Sequence, residues 1–256
     1  MISFFRKVRQ QLLTGNRVSK YLLYALGEIF LVVIGILIAL QVNNWNEERK
    51  SNRLKETYLS ALSVDVQSDI ANLKAWKQGN DQAEEEGLYL LEFLEERMVD
   101  MDSQRLVRSF LLCQYKPAIT ISSSTYRDLN NSGNIQVFED LDFKKILDEY
   151  YKTDTWSSKI DDRITQTIWY DFRDRITQYI DPTIYKAIYT ATANEAQVEE
   201  LDLLQYEIDW NSISKSPEIL RELRNVLAFR IVIRGDLQAH IQKAQELLRT
   251  IQAANP

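Results

Sequence analysis

YLLYALGEIFLVVIGILIALQV, residues 21–42, is the stretch that decides the fold. It is 22 residues long, and Glu28 is its only charged side chain. Because a helix rises about 1.5 Å per residue, these residues span about 33 Å, enough to cross a hydrocarbon core of about 30 Å. A helix in a soluble core is seldom apolar on every side over such a length. The stretch therefore predicts a transmembrane helix.

The flanks of this helix predict its direction. Residues 1–20 contain no acid and five basic side chains: Arg6, Lys7, Arg9, Arg17 and Lys20. The other flank, NNWNEERKSNR, mixes both signs, and its Trp45 fits the aromatic belt of the outer interface. Because an excess of basic residues stays in the cytoplasm, we expect a cytoplasmic basic tail over residues 1–20 and an external domain over residues 43–256. The tail itself fits either a basic amphipathic helix on the inner leaflet or a disordered segment.

A cleaved signal peptide is the alternative to an anchor. Its apolar region should be about 7 to 15 residues long and end in small residues of the A-x-A kind. The apolar run here is longer and ends IALQVNNW, without such a site. We therefore expect the helix to stay uncleaved in the lipid bilayer.

One face of the predicted membrane helix carries polar and small residues. At about 100° per residue, Tyr24, Glu28, Gly35, Ala39 and Asn43 fall on the same side. Gly35 and Ala39 form a small-xxx-small pair, which lets a second helix approach closely. The pattern predicts a membrane contact face. It leaves three roles open for Glu28: meeting a partner helix, snorkelling to the inner headgroups or bonding Tyr24, and titrating within a proton path.

Composition favours helices for the rest of the chain. Of 256 residues only 7 are Gly and 4 are Pro, and these residues punctuate sheets and turns. We expect an all-α fold in which the transmembrane helix continues into an antiparallel bundle of long helices. Outside the tail, 26 basic residues face 37 acidic ones, so nucleic acid is not an expected partner.

Periodic apolar residues predict where the helices lie. After the membrane segment they recur every three or four positions, so the first helix should continue to Gln78. Gly79 and Asn80 predict a turn. A second helix is expected over residues 81–99, and its inward side chains should be Leu88, Leu91, Leu94 and Met98.

The later helices have clearer end signals. Asp102 or Ser103 is expected to cap a short helix. A run without Gly or Pro over residues 141–180 predicts a long helix with a bend at Ser157 or Ser158. Ser216 as cap and Pro217 at the first helical position predict a last helix to about residue 253.

Residues 116–140 form the one long irregular stretch. Ser124 or Thr125 is expected to cap a short helix here, and Gly133 sits where a left-handed residue ends one. Functional residues tend to lie on such loops, so we consider four of its residues a candidate binding surface: Tyr126, Asn130, Asn131 and Gly133. The alternative is a helix connection packed over the end of the bundle.

Catalytic chemistry has few candidate residues. His240 is the only histidine, and Cys113, in the apolar context FLLCQY, is the only cysteine. Glu-x-x-His pairs and glycine-rich phosphate loops are missing. We therefore nominate no catalytic, cofactor-binding or metal-ligating residue, and we do not expect an enzyme.

Two segments carry a resemblance to a known family. The opening FFRKVRQ…GEIFLVVIGILIALQVNNWNEE, about 45 residues, and the later STYRDLNNSGN, followed by a helix with Tyr150 and Tyr151, resemble a family of uncharacterised single-pass membrane proteins from Bacteroidetes. The resemblance implies a bacterial inner membrane, and hence a periplasmic external domain. It implies no activity and no site residues.

Together these patterns favour an interaction or scaffold protein. A membrane helix with a contact face, followed by a stiff helical domain, suits docking of a partner protein and self-association. Two alternatives stay open: a periplasmic module that senses a ligand, and an accessory subunit of an ion-coupled membrane complex that uses Glu28.

Overall fold

The computed structural model describes residues 18–97, 102–114, 120–152, 162–186 and 202–254. Every regular element in these ranges is helical, and their only extended pairing is an isolated bridge between Ile180 and Ile208. The prediction of an all-α chain is confirmed for this part. The chain divides into two compact units, Met1–Thr57 and Tyr58–Pro256.

Helix α1 (Val18–Leu94) contains the apolar segment. It is the one helix of the described residues that is long and apolar enough to cross a membrane. Side chains 26–42 are all exposed, so this segment is not the core helix of a folded unit. Of the predicted basic tail, residues 1–17 lie outside the described residues.

The predicted turn at Gly79 and Asn80 is wrong, because α1 continues through both residues to Leu94. Asn80 is fully buried, and its Nδ2 donates to the carbonyl oxygen of Arg230 at 3.2 Å. Burial and this hydrogen bond outweigh the weak helix propensities of glycine and asparagine. The predicted inward face is confirmed only in part: Leu94 is buried and Leu91 is half-buried, but Leu88 is 47% exposed and Leu90 is buried in its place. Met98 lies outside the described residues.

Two short helices follow α1. Helix α2 (Ser103–Leu112) begins as predicted, since Asp102 Oδ1 accepts the Arg105 N–H at 3.0 Å. Helix α3 (Ser124–Asn131) has Ser123 at its N-cap position, so the predicted cap at Ser124 or Thr125 is wrong. Gly133, after the helix, has a left-handed φ of 75°, as predicted. A 3₁₀ turn (Asn134–Val137) comes next.

The predicted helical run over residues 141–180 contains two described helices, α4 (Leu141–Tyr151) and α5 (Asp162–Ile176). The proposed bend at Ser157 or Ser158 lies outside the described residues. Two 3₁₀ turns (Thr177–Tyr179 and Leu203–Gln205) and the short helix α6 (Trp210–Ser214) lead towards the last helix.

Helix α7 (Pro217–Ala254) is the main packing partner of α4 and α5 in the second unit. It begins as predicted, with the Ile219 N–H donating to Ser216 Oγ at 3.3 Å. Arg175 Nε on α5 donates to both carboxylate oxygens of the buried Glu222 at 2.8 Å. The core that these helices share includes fully buried side chains of α1, α4, α5 and α7: Leu62, Val66, Leu73, Leu147, Phe172, Leu223 and Leu237.

Candidate functional site

The predicted membrane contact face belongs to the first unit. Glu28, Gly35, Ala39 and Asn43 are exposed, and Tyr24 is half-buried. A β-carbon built at Gly35 meets no described atom within 4 Å. The described residues therefore leave this face uncovered, and its contact with another helix stays a prediction.

The four residues of the predicted loop surface separate into two kinds. Asn130, Asn131 and Gly133 are exposed, whereas Tyr126 is half-buried and packs on the ring of Tyr151. Asn130 Nδ2 donates to the carbonyl oxygen of Tyr126 at 2.9 Å, a bond within one turn of α3. Tyr126 thus belongs to the packing of the unit, and the other three residues remain accessible.

The loop instead contributes to a set of phenols and polar side chains that sequence analysis did not assemble. We call it the tyrosine–carboxylate cluster, and it consists of Tyr58, Asp65, Asp69, Tyr126, Asp128, Asn134, Asp148, Tyr150 and Tyr151. Helix α1 supplies the first three residues, the loop and α3 supply the next three, and α4 supplies the last three.

Asp69 is the best-buried carboxylate of the cluster, at 1% exposed. Its Oδ2 accepts a hydrogen bond from the Tyr150 hydroxyl at 2.7 Å, and its Oδ1 accepts one from the Ser122 N–H at 2.9 Å. A buried carboxylate is costly unless such donors compensate it. Asp69 therefore joins α1 to α4 and to the start of the loop.

Tyr58 holds the second half of the loop. Its hydroxyl donates to Asp128 Oδ2 at 2.7 Å and accepts from Asn134 Nδ2 at 2.8 Å. One phenol thus contacts residues on both sides of Gly133, where the chain reverses out of α3. This contact explains in physical terms why the STYRDLNNSGN segment has a defined conformation against α1.

Tyr126 and Tyr151 form the aromatic part of the cluster. Their rings are stacked, with centroids 4.4 Å apart and planes 12° apart. The Tyr126 hydroxyl donates to Asp148 Oδ1 at 2.6 Å, and Lys152 Nζ lies 2.6 Å from Asp148 Oδ2. Burial opposes ionisation of Asp148, but the hydrogen bonds from Lys152 and Tyr126 hold its pKa below the usual value.

Two phenols of the cluster, Tyr150 and Tyr151, are held in their protonated form by a raised pKa. Burial raises the pKa of Tyr150 far above its ordinary value, and the hydrogen bond to Asp69 raises it further. Burial and the nearby Asp65 carboxylate raise the pKa of Tyr151 as well. Asp65 Oδ2 and Tyr151 Oη are shielded from solvent and have no hydrogen-bond partner among the described residues. A phenol that keeps its proton, as Tyr150 does, can hold two segments together by donating a hydrogen bond.

Asp69 could have been found from the sequence. It lies three residues after Val66 and four before Leu73, within the apolar stripe of α1, where a carboxylate requires buried donors. Its partners could not have been found in this way. Ser122 and Tyr150 are 53 and 81 positions away, and no periodicity links them to Asp69.

His240 and Cys113 are both buried. His240 Nδ1 lies 2.9 Å from the carbonyl oxygen of Asp236 on the same helix. Burial raises the pKa of the Cys113 thiol to about 12, so it is not a thiolate at neutral pH. No group of three or more His, Cys, Asp or Glu side chains within the described ranges is placed to hold a metal ion.

Comparison with known proteins shows similarity to a family model over the first part of the chain. Neither the curated proteins nor the solved structures include a significant match to this chain. The sequence model of a family of unknown function, DUF6090, matches residues 28–101. The matched region begins at Glu28, contains the apolar segment from there on, and includes Asp65, Asp69 and Asn80. The similarity to this family of unknown function thus covers most of α1 and ends before the loop.

Proposed function

We propose that this chain is a membrane-anchored helical interaction protein. Residues 21–42 cross a bacterial inner membrane, residues 1–20 lie in the cytoplasm, and residues 43–256 form a periplasmic domain that docks a partner protein and self-associates. The observation that carries this proposal is the single helix α1, which contains both an exposed apolar segment and residues of a packed helical core.

The exposure of the apolar segment supports the anchor. Water-exposed side chains from residue 26 to residue 42 would be unfavourable in solution, since each large apolar side chain gains about 1.5–3 kcal/mol when it leaves water. A bilayer removes that cost without any protein partner. The basic residues before the segment support the orientation, because they favour the cytoplasmic side.

We further propose that the external domain is an antiparallel bundle. Asn80 bonds Arg230, a β-carbon built at Gly87 would meet Leu227, and Glu95, one residue beyond α1, bonds Arg224, so these positions run backwards along α7. The long side chain of Arg234 also lies 3.0 Å from Glu84, outside this order. Contacts in this order are what two helices packed in opposite directions would make. Such a stiff domain presents a fixed surface to a partner protein.

Self-association is proposed through the membrane contact face. Gly35 and Ala39 have small side chains, and nothing in the described chain covers Gly35, so a second copy of α1 can approach it closely. The supporting chemistry is van der Waals packing of helix backbones, with Glu28 and Asn43 as polar contacts at the two ends of the face.

Disulfide crosslinking in native membranes tests the proposal. Gly35→Cys should give a covalent dimer after oxidation, whereas Leu37→Cys, about 160° away around the helix, should not. The native Cys113 can stay in place because it is buried with a raised pKa. Equal dimer yields at both positions, or none, would overturn self-association.

Protease treatment of spheroplasts tests the orientation separately. A tag placed after Pro256 should be digested without detergent. A protected tag, or a mature protein that begins near Asn43, would overturn the anchored topology.

A further inference from the structure

The second unit leaves one side of α1 uncovered. From residue 60 to residue 78, the core side of this helix is buried, with Leu62, Val66 and Leu73 fully enclosed. The opposite side is exposed over the same five turns. We call it the outer face, and it consists of Ser60, Val64, Ser68, Ala71, Ala75 and Gln78. At about 100° per residue, all six lie within about 40° of Val64. The described part of the chain thus leaves this face free to meet another molecule.

The outer face carries no charged side chain. Charged residues make up 27% of the chain, yet Lys74 is the only one among the exposed side chains of α1 from residue 60 to residue 78. Lys74 lies about 80° away from Val64, which is at the centre of the face and is 65% exposed. A helix surface that meets only water typically carries charged groups opposite its apolar stripe. Their absence over five turns indicates a face that meets protein.

The outer face also repeats a pattern of the membrane contact face. Gly35 and Ala39 form a small-xxx-small pair there, and Ala71 and Ala75 form a pair with the same spacing here. Each residue of the second pair follows its counterpart by 36 residues, which is ten turns of an α-helix. Both pairs belong to α1. The pattern that allows close helix approach in a membrane therefore recurs at the same phase of the helical repeat.

We propose that the outer face of α1 packs in parallel against the outer face of a second copy of this chain. Copies anchored in one membrane by the same helix point in the same direction. A two-fold axis between them then places each residue of the face close to its own counterpart. A charged residue would oppose its own sign in such a contact, and an uncharged face avoids this repulsion. The proposal rests on the anchor and the self-association proposed above, and it adds an interface in the second unit.

The side chains of the outer face suit contact with an identical face. Those of Ser60, Ser68, Ala71 and Ala75 are small, which lets two helix axes approach to about 8 Å. Gln78 can bond its own counterpart, because a side-chain amide carries both donors and an acceptor. This self-complementarity favours a second copy over an unrelated partner. The apolar area of the face is small, so the contact depends on the membrane helices, which raise the effective concentration of one copy near the other.

Disulfide crosslinking of the full-length protein in native membranes tests this inference. Val64→Cys places a thiol at the centre of the outer face and should give a covalent dimer after oxidation. Val232→Cys on α7 is the matched control, because Val232 is also an exposed valine of the second unit. It should give little dimer. Equal dimer yields at the two positions would overturn the inference, since they would show random collision or a different interface.

A charge added to the outer face tests the packing itself. Ala71→Lys places like charges opposite each other, so it should lower the yield of the Val64→Cys crosslink by about fivefold or more. Asn72→Lys adds the same charge one residue later, about 100° around the helix, and should leave the yield unchanged. Both positions are exposed, and circular dichroism checks that both variants keep their helix content. An equal effect of the two substitutions would contradict packing through the outer face.

The Gly35→Cys crosslink separates this inference from the proposed function. If Gly35→Cys gives a dimer and Val64→Cys does not, self-association through the membrane segment stands and the outer face takes no part in it. If neither position gives a dimer, self-association itself is contradicted.

Discussion

Arg230 and Asn80 bond each other in both directions across α7 and α1. Arg230 Nη1 donates to Asn80 Oδ1 at 3.3 Å, and Asn80 Nδ2 donates to the carbonyl oxygen of Arg230 at 3.2 Å. Both residues are fully buried. Arg230 Nη2 also donates to the carbonyl oxygen of Cys113 at 2.7 Å, and the guanidinium lies 5.5 Å from the ring centroid of Trp169. One buried cation thus connects α1, α5, α7 and the end of α2.

Asn80→Ala should destabilise the protein. The substitution removes an acceptor from a buried guanidinium, and a buried donor without its partner costs about 1–3 kcal/mol. The better helix propensity of alanine offsets less than about 0.7 kcal/mol of this. Denaturant unfolding of the full chain in detergent, followed by circular dichroism, measures the change. Asn72→Ala on the exposed side of α1 is the control, and an equal effect of both substitutions would contradict a special role for Asn80.

Two glycines inside helices should respond in opposite ways. A β-carbon at Gly87 would lie 2.8 Å from Leu227 Cδ2 and 3.5 Å from Cys113 Cβ, whereas one at Gly235 meets nothing within 4 Å among the described atoms. Gly87→Val should therefore lower the free energy of unfolding by about 1–3 kcal/mol through overpacking. Gly235→Ala should raise it by up to about 1 kcal/mol through helix propensity. Thermal unfolding compares the two, and stabilisation by Gly87→Val would show that α1 and α7 are not closely packed there.

Four residues show which structural features a sequence can predict and which it cannot: Gly133, Pro217, Gly79 and Asn80. The sequence predicts the roles of Gly133 and Pro217 correctly, because a left-handed φ and a missing N–H are constraints of the local backbone. The turn prediction at Gly79 and Asn80 is wrong, because the free energy that favours a local turn is smaller than what Asn80 gains from burial and from its bond to Arg230, 150 positions away.

The buried Arg230 has a signal of the same kind as Asp69. It lies four residues after Val226 and three before Ile233, on the apolar stripe of α7, which indicates burial. The periodicity of apolar residues predicts that such a residue is buried, but it does not predict which residues it bonds. Those depend on how distant segments pack, and that information is not local.

Tyr150→Phe should weaken the tyrosine–carboxylate cluster. It leaves the buried Asp69 carboxylate without one of its two donors, and hydrogen bonds to charged groups contribute about 1.5–3 kcal/mol. We expect a loss of that size in the free energy of unfolding. Tyr170→Phe is the matched control, because Tyr170 is 46% exposed. If both substitutions cost the same, Asp69 does not depend on Tyr150.

The cluster should also make the protein sensitive to alkali. Burial raises the folded-state pKa of three tyrosines of the cluster, Tyr126, Tyr150 and Tyr151, above the ordinary value of 10.0. Above that pH the unfolded chain loses phenolic protons that the folded chain keeps, so stability falls as pH rises. Unfolding measured from pH about 8 to 11 should show this slope. Tyr150→Phe with Tyr151→Phe should flatten it, and an unchanged slope would assign the alkaline loss to other groups.

The role of Glu28 can be tested by measuring the yield of the Gly35→Cys crosslink in membranes. Ala39→Leu should lower the yield roughly tenfold, because it blocks close helix approach, while Val33→Leu on another face should not. If Glu28 meets a partner helix, Glu28→Ala lowers the yield, and Glu28→Gln, whose amide still forms hydrogen bonds, largely retains it. A yield unaffected by Glu28→Ala contradicts the contact role and leaves snorkelling or proton transfer. Those two differ because proton transfer alone requires a titrating carboxylate, so a Glu28→Gln strain with normal function excludes it.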